Sequence, residues 1–376
     1  MQQPVFITAR FRSGSTLLWN MFRHMPGCMS FYEPCNDLLV THVEHETKAL
    51  PTHRKVASYW DEYQPVLDGV RARHSMDFGL TRLSLEPQDE DAALEGYLRF
   101  LLGAAGEKRP VLQFNRVDFR LGWLHKRFPE ARILHLTRNS RDIWYSMVRD
   151  LPENGWKDAQ ANTNYDLVLW SLSLYHAFPF LFSPLVSTSY HRHYLLWRLS
   201  GLAGERMADL TLDYDRDVLG DTAVTVRRLA EFAGQHDAPE EAIAGLVVAP
   251  ERGRWADLAD EQWFAAAEAQ CDALLGSLGL LEHFGHLPLA KIEASHRQAW
   301  ACVRADSVEA MSCAAARTSG GFRMDRLNAG LIIEFHKMQN LADRECILIL
   351  KRENDSLRAS LAEERAEMDS QENQQP

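Results

Sequence analysis

The chain has 376 residues, 46% of them hydrophobic, which excludes a largely disordered protein and suits one large domain of about 260 residues with an appendage. Its 52 acidic and 41 basic residues give a net charge of −11, which excludes a general nucleic-acid or anionic-membrane binder. The six cysteines (Cys28, Cys35, Cys271, Cys302, Cys313 and Cys346) form no Cys-x-x-Cys pair, so buried thiols are expected rather than a zinc site or a disulfide framework.

A first strand is expected over 5–8 and a helix over 15–25, with Thr8-Ala9-Arg10-Phe11-Arg12-Ser13-Gly14-Ser15-Thr16-Leu17-Leu18 spanning the junction. Amide groups at a helix N-terminus lack intrahelical partners, and the positive end of the helix dipole lies with them, so such a turn can receive a phosphate or sulfate oxygen. Arg12 adds charge, and Ser13, Ser15 and Thr16 add hydroxyl donors. A nucleotide-triphosphate loop would need two glycines five apart followed by Lys and Ser/Thr, which this run lacks; an ordinary serine-capped turn is the other reading.

A short strand over 29–32 leads to Glu33-Pro34, and a charged, mostly helical stretch runs to about 106. Strand Val111–Phe114, a helix over 120–128 and a strand over 132–137 follow. Arg138 sits at that strand's end, and Ser146 lies eight residues on, about two turns into a helix over 141–150, where it can face an anion held by Arg138. The segment Trp156–Trp197 is rich in aromatic residues; its rings are read as helix core or as part of an acceptor wall. A strand over 207–212, the turn Asp213-Tyr214-Asp215 and a helix over 222–234 complete the pattern. Strands alternating with helices imply a parallel β-sheet flanked by helices, with ligands at the strands' carboxyl ends.

The resulting organisation is an α/β domain over 1–284, a helical linker over 285–325 and a long C-terminal helix over 326–376. Ile347, Leu350, Asn354, Leu357 and Leu361 space as a short coiled-coil seam, suited to a homodimer or a pathway partner, or as one face of a helix folding back on the domain. The tail 369–376 reads as frayed. No apolar run reaches the length of a membrane span, and a strand starting at Val5 leaves no room for a signal peptide, so a cytoplasmic enzyme is expected.

In order and in separation, the Arg12–Leu17 turn and the Arg138…Ser146 pair resemble the two donor-binding motifs of the sulfotransferase family, whose donor is 3′-phosphoadenosine 5′-phosphosulfate. The resemblance spans about residues 5–260. Arg12-Ser13-Gly14-Ser15-Thr16 followed by Phe31-Tyr32-Glu33-Pro34 looks like the carbohydrate sulfotransferase branch; the phenol and steroid branch has Lys at the place of Arg12. It implies a P-loop-like sulfotransferase fold in which Arg12, Ser13, Gly14, Ser15, Thr16 and Leu17 hold the 5′-phosphosulfate, while Arg138 and Ser146 hold the 3′-phosphate. Arg252-Gly253-Arg254-Trp255 resembles the family's late basic segment, with Arg254 on the 3′-phosphate. Glu33 matches the Glu-Pro beside the acceptor and is the expected base, with Arg12 its catalytic companion. The phenol branch's histidine has no counterpart in Gln113-Phe114-Asn115-Arg116-Val117-Asp118, where Arg116 is a candidate contact to donor or acceptor. The resemblance implies no metal, and a small-molecule or glycan acceptor. Two rivals remain: a catalytically silent nucleotide-binding scaffold that recruits partners through its C-terminal helix, and a magnesium-dependent kinase, which the missing Gly-Lys-Ser/Thr disfavours.

Overall fold

The computed structural model describes residues 2–50, 53, 55–151, 167–174, 177–182 and 186–283. The expected linker, the C-terminal helix with its seam and tail, and much of the aromatic segment lie outside the described residues.

Five strands, β1 (Val5–Ala9), β2 (Cys28–Tyr32), β3 (Arg109–Phe114), β4 (Arg132–Thr137) and β5 (Leu210–Asp213), form one sheet in the order β2-β3-β1-β4-β5. All pairings are parallel, as strands joined by helical crossovers must be. Helix α1 (Ser15–Arg23) links β1 to β2. Between β2 and β3 come α2 (Leu39–Glu44), α3 (Leu67–Arg73), α4 (Asp77–Leu80) and α5 (Ala92–Ala104), and α6 (Leu121–Arg127) links β3 to β4. Then α7 (Ser140–Val148), α8 (Leu167–Ser173) and α9 (Ser189–Met207) lead to β5. After it come α10 (Thr222–Phe232), α11 (Glu240–Ala244), α12 (Glu261–Ser277) and α13 (Leu280–His283).

β1 is buried along its whole length because it lies between β3 and β4, with Val5 opposite both Val111 and Arg132. A central parallel strand is covered on both faces, so its sequence is a continuous apolar run. On one face Val5, Ile7 and Ala9 join Leu18, Met21 and Phe22 of α1 and Val226 and Leu229 of α10 in a single core. On the other, Phe6 packs edge-on against Phe114 and Phe128, with ring centroids 5.8 and 5.5 Å away.

The last strand lies later than expected, at Leu210–Asp213 rather than 207–212. Ala208 N–H still closes α9 on Gly204 O at 2.9 Å, and Asp209 N–H is the first to bond β4, at Ile133 O across 2.8 Å. Gly204 also lets α9 press onto the sheet: a Cβ there would lie 2.2 Å from Cγ of the His135 ring. Cys28, Cys35 and Cys271 are free, buried thiols. Burial pushes them up to about 11, 11 and 12 respectively, so they are unreactive at neutral pH. Among the described residues no helix is long and apolar enough to cross a membrane.

Candidate functional site

Each strand delivers a polar or aromatic residue just beyond its carboxyl end. The turn Arg12–Gly14 follows β1, Glu33 follows β2, Asn115 and Arg116 follow β3, Arg138 follows β4 and Tyr214 follows β5. Together with Ser146 of α7 and with Arg254, they line one cleft of about 850 Å³. Six basic side chains line it (Arg12, Lys48, Arg116, Arg138, Arg149 and Arg254) against three acidic ones (Glu33, Asp142 and Glu251). A chain with a net charge of −11 thus concentrates positive charge where the sheet order reverses around β1, the usual ligand position of an open parallel sheet.

The turn after β1 is anchored from behind. Arg10 is buried, its NH1 3.3 Å from Asp118 Oδ2, and its guanidinium lies 4.3 Å from the centroid of the Trp170 ring. Arg10 O accepts from both the amide and the hydroxyl of Ser13, at 3.3 and 2.6 Å. Ser13 therefore braces the turn from inside and does not line the cleft. Arg12 and Gly14 both have left-handed backbone, with φ of 66° and 98°. Only glycine fits at position 14, where a Cβ would lie 2.4 Å from ring carbons of Tyr214.

Helix α1 starts at Gly14 without any side-chain cap. Among the described residues the amides of Gly14, Ser15 and Thr16 have no hydrogen-bond partner, whereas Leu17 N–H donates to Gly14 O at 3.0 Å. Helix α7 differs: Asn139 caps it, accepting from the amides of Arg141 and Asp142. Of these two helix starts facing the sheet's carboxyl edge, α1 alone offers open amides to an anion. The hydroxyls behind it are engaged within the protein. Ser15 Oγ donates to Asn115 Oδ1 at 3.0 Å, and Thr16 Oγ1 lies 3.0 Å from the Tyr32 hydroxyl.

Arg138 is buried against the same turn. Its NH1 donates to Arg12 O at 3.1 Å, its guanidinium lies 5.1 Å from the centroid of the Tyr214 ring, and its own carbonyl accepts from Trp197 Nε1 at 2.9 Å. Its buried Nε has no hydrogen-bond partner among the described residues. Ser146 faces Arg12, whose Nε donates to its Oγ at 2.9 Å. The expected pair Arg138…Ser146 is therefore a triad in which Arg12 stands between. Arg254 lies at the rim in exposed ion pairs with Glu251 and Asp257 at 2.8 and 2.7 Å. The neighbouring Gly253 amide ties that loop to α7 through Asp142 Oδ1 at 3.0 Å. Arg252 reaches Asp215 at 3.7 Å.

Glu33 is buried at the opposite wall with φ of 41°. Its carboxylate accepts from Asn115 Nδ2 at 2.5 Å and from Arg116 NH1 at 3.0 Å, and Arg116 NH2 also reaches Asp37 at 3.4 Å. With Asn36 Nδ2 also donating to Glu33 Oε2 at 3.4 Å, three donors hold the carboxylate in one orientation. Burial, with the nearby Glu33 charge adding, raises the Tyr32 phenol well above its ordinary value, so Tyr32 remains a neutral donor.

Tyr32, within the Phe31–Pro34 motif, joins His42, Tyr59 and Trp60, from a stretch without a motif, in the cleft's aromatic wall. Of the described rings of the 156–197 segment, Trp170, Phe178, Phe180, Tyr190 and Tyr194 are buried, whereas Trp197 is half-buried. Trp170 packs on Phe11 with ring centroids 5.1 Å apart, and Tyr190 packs on Phe264 with ring centroids 4.8 Å apart. A second cavity of about 680 Å³ lies between α9 and the ends of β4 and β5, lined by His135, Trp197, Arg198 and Asp213 and by Arg138, which borders both cavities. It contains none of the α1 amides and does not meet the acidic Glu33 wall. Among the described residues no group of His, Cys, Asp and Glu could hold a metal ion.

A family model described as the sulfotransferase family matches residues 4–238, more than half of the chain and the whole of the sheet. The chain belongs to the sulfotransferase family. Among solved structures, it is similar to the sulfotransferase domain from the curacin biosynthetic pathway, with 13% identity over 78% of this chain and 97% of that one, at a TM-score of 0.38. It is similar to the sulfotransferase from Alicyclobacillus acidocaldarius, with 16% identity over 73% and 96% of the two chains and a TM-score of 0.35. A third is the sulfotransferase domain from the Synechococcus PCC 7002 olefin synthase, with 17% identity over 72% and 88% and a TM-score of 0.35. A search of curated proteins gave no match. The assignment rests on the family match.

Within this sulfotransferase sheet, Tyr214, Asn115 and Tyr32 escaped the motif reading as site residues. A positional signal existed for all three, because each ends a strand or directly follows one. His53 had none.

Proposed function

We propose that the chain transfers a sulfuryl group from 3′-phosphoadenosine 5′-phosphosulfate to an acceptor hydroxyl on a carbohydrate or glycosylated small molecule. The observation that carries this reading is the uncapped N-terminus of α1 opening into the same cleft as Arg12, Arg138 and Ser146. The amides of Gly14 to Thr16 and the Arg12 guanidinium suit one anionic group. The Arg138 side chain and the rim cation Arg254, which line the same cleft, suit a second. Gly14 lets the turn pass directly beneath the Tyr214 ring, which keeps the α1 amides at the cleft.

When bound, the donor supplies the sulfuryl group, its S–O bond to the 5′-phosphate breaking as a bond to the acceptor oxygen forms. The protein's part is positioning and fixed positive charge. Arg12 and the α1 amides stabilise negative charge on the phosphate side. Glu33 takes the acceptor hydroxyl's proton, held in orientation by Asn115 and Arg116. Ser13, Ser15 and Thr16 keep the turn in shape through their internal hydrogen bonds.

Titration calorimetry with 3′-phosphoadenosine 5′-phosphate, followed by radiolabelled transfer to a panel of sugars, glycolipid precursors, phenols and glycosylated metabolites, tests the proposal. Micromolar binding with labelled product on a sugar hydroxyl is the expected result. Binding without transfer to any acceptor would favour a silent scaffold, and transfer to phenols alone would remove the carbohydrate assignment.

A further inference from the structure

His53 carries no motif, yet its Nε2 lies 3.3 Å from Arg12 NH1. A guanidinium has only donors, so this contact fixes the imidazole tautomer: Nε2 is the bare acceptor and the proton sits on Nδ1. Nδ1–H then donates to the Tyr59 hydroxyl, which also accepts from the Leu50 amide at 2.8 Å. Tyr59 stacks on Tyr32 with centroids 4.6 Å apart and planes inclined by 15°. The Tyr32 hydroxyl returns to Thr16 Oγ1 at 3.0 Å. The contacts thus leave the turn at Arg12 and re-enter the same helix start at Thr16. Tyr32 and Tyr59 are buried, so the stacked pair gives the His53–Arg12 contact a fixed backing.

We propose that His53, oriented by Tyr59, is a positioning residue that sets the Arg12 guanidinium for sulfuryl transfer. Ser146 Oγ takes the hydrogen on Nε and His53 Nε2 takes one on NH1. Two fixed points on a planar group define its plane and direction, so the charge is oriented before any ligand arrives. The proposal rests on the role given to Arg12 above. Burial lowers His53 to about 4, with the Arg12 charge adding to the effect. The acceptor form is therefore the one present at neutral pH. Among the described residues, Arg12 and Tyr59 are the ionisable groups bonded to the ring.

Two measurements on the full chain test it. In ¹⁵N-histidine spectra, the His53 resonance, identified by its loss in His53→Gln, should show a bare Nε2 and a protonated Nδ1 at pH 7. Its titration midpoint should move upward in Arg12→Ala, where the neighbouring cation is gone. A protonated Nε2, or a midpoint indifferent to Arg12→Ala, overturns the contact. In kinetics, His53→Ala should lower kcat on the order of tenfold to a hundredfold, with affinity for 3′-phosphoadenosine 5′-phosphate held within about twofold. His53→Gln, whose amide oxygen can accept from Arg12, should recover most of that loss. Unchanged kcat in His53→Ala, or equal loss in both variants, overturns the positioning role. Should the wild-type chain fail to bind the nucleotide at all, the functional reading falls, while the spectra still decide the Arg12–His53 contact.

Discussion

Arg12 Nε donates to Ser146 Oγ across 2.9 Å, tying the turn after β1 to the second turn of α7. The two anion-facing motifs are one connected unit, closed on its other side by Arg138 NH1 on Arg12 O at 3.1 Å. Removing Arg12 should lower kcat by about 10²–10³, the usual cost of losing one charge-stabilising donor. Ser146→Ala should cost about tenfold and, because it acts partly through Arg12, should add little to Arg12→Ala. Steady-state kinetics of the two single variants and the double variant check this; full additivity would separate the two residues.

Gly14 cannot be replaced cheaply. At φ of 98° an L side chain is strained, and its Cβ would meet Tyr214 at 2.4 Å. Gly14→Ala should destabilise the fold by about 1–3 kcal/mol and abolish nucleotide binding. Adding Tyr214→Ala removes the collision but not the backbone strain, so the double variant should recover part of the stability. Urea unfolding of Gly14→Ala, Tyr214→Ala and the double variant reads both effects.

The sheet was largely legible in the residues. Val5-Phe6-Ile7 and Ile133-Leu134 are apolar runs with no alternation, as strands covered on both faces must be, and the Arg12–Leu17 turn and Arg138 stand where those runs stop. What the residues hid was set by distant neighbours. The left-handed backbone at Arg12 and Glu33 involves no glycine, so no local rule announces it. The partner of Ser146 depends on how β1 and β4 sit side by side, which brings Arg12 nearer than helical spacing suggested. Apart from Tyr32, the aromatic wall comes from the 42–60 segment, where neither period nor motif distinguishes a lining ring from a core ring.

Glu33 and Arg116 form a buried pair at 3.0 Å, both nearly excluded from solvent. Glu33→Gln keeps the shape and the hydrogen bond from Asn115 but cannot accept a proton as a carboxylate does. It should lower kcat by about 10²–10⁴ with nucleotide affinity unchanged. Arg116→Met leaves the nearly buried Glu33 carboxylate without its cation and should cost about 3–5 kcal/mol in stability. Comparing calorimetric affinity, kcat and unfolding for the two variants separates proton acceptance from wall integrity. Normal turnover in Glu33→Gln would remove the base assignment.

Buried histidines make the fold acid-sensitive. Burial lowers His193 from 6.5 to about 3, and burial likewise lowers His53 and His74 from 6.5 to about 4. In the unfolded chain each takes up a proton near its ordinary value, whereas in the folded chain each stays neutral until much lower pH. Between about pH 6.5 and 4 the unfolded state therefore binds more protons, and stability falls as pH falls, by about 1.4 kcal/mol per pH unit for each such histidine. Above pH 6.5 these groups contribute no slope. His193 Nε2–H donates to Ser140 O across 3.0 Å, because a carbonyl can only accept, so Nδ1 is the bare nitrogen. His193→Gln retains an N–H for that carbonyl while removing the titration. Urea denaturation at pH 7, 5.5 and 4.5 should show the wild-type chain losing stability more steeply than His193→Gln. Parallel curves for the two would mean that His193 titrates alike in the folded and unfolded chains.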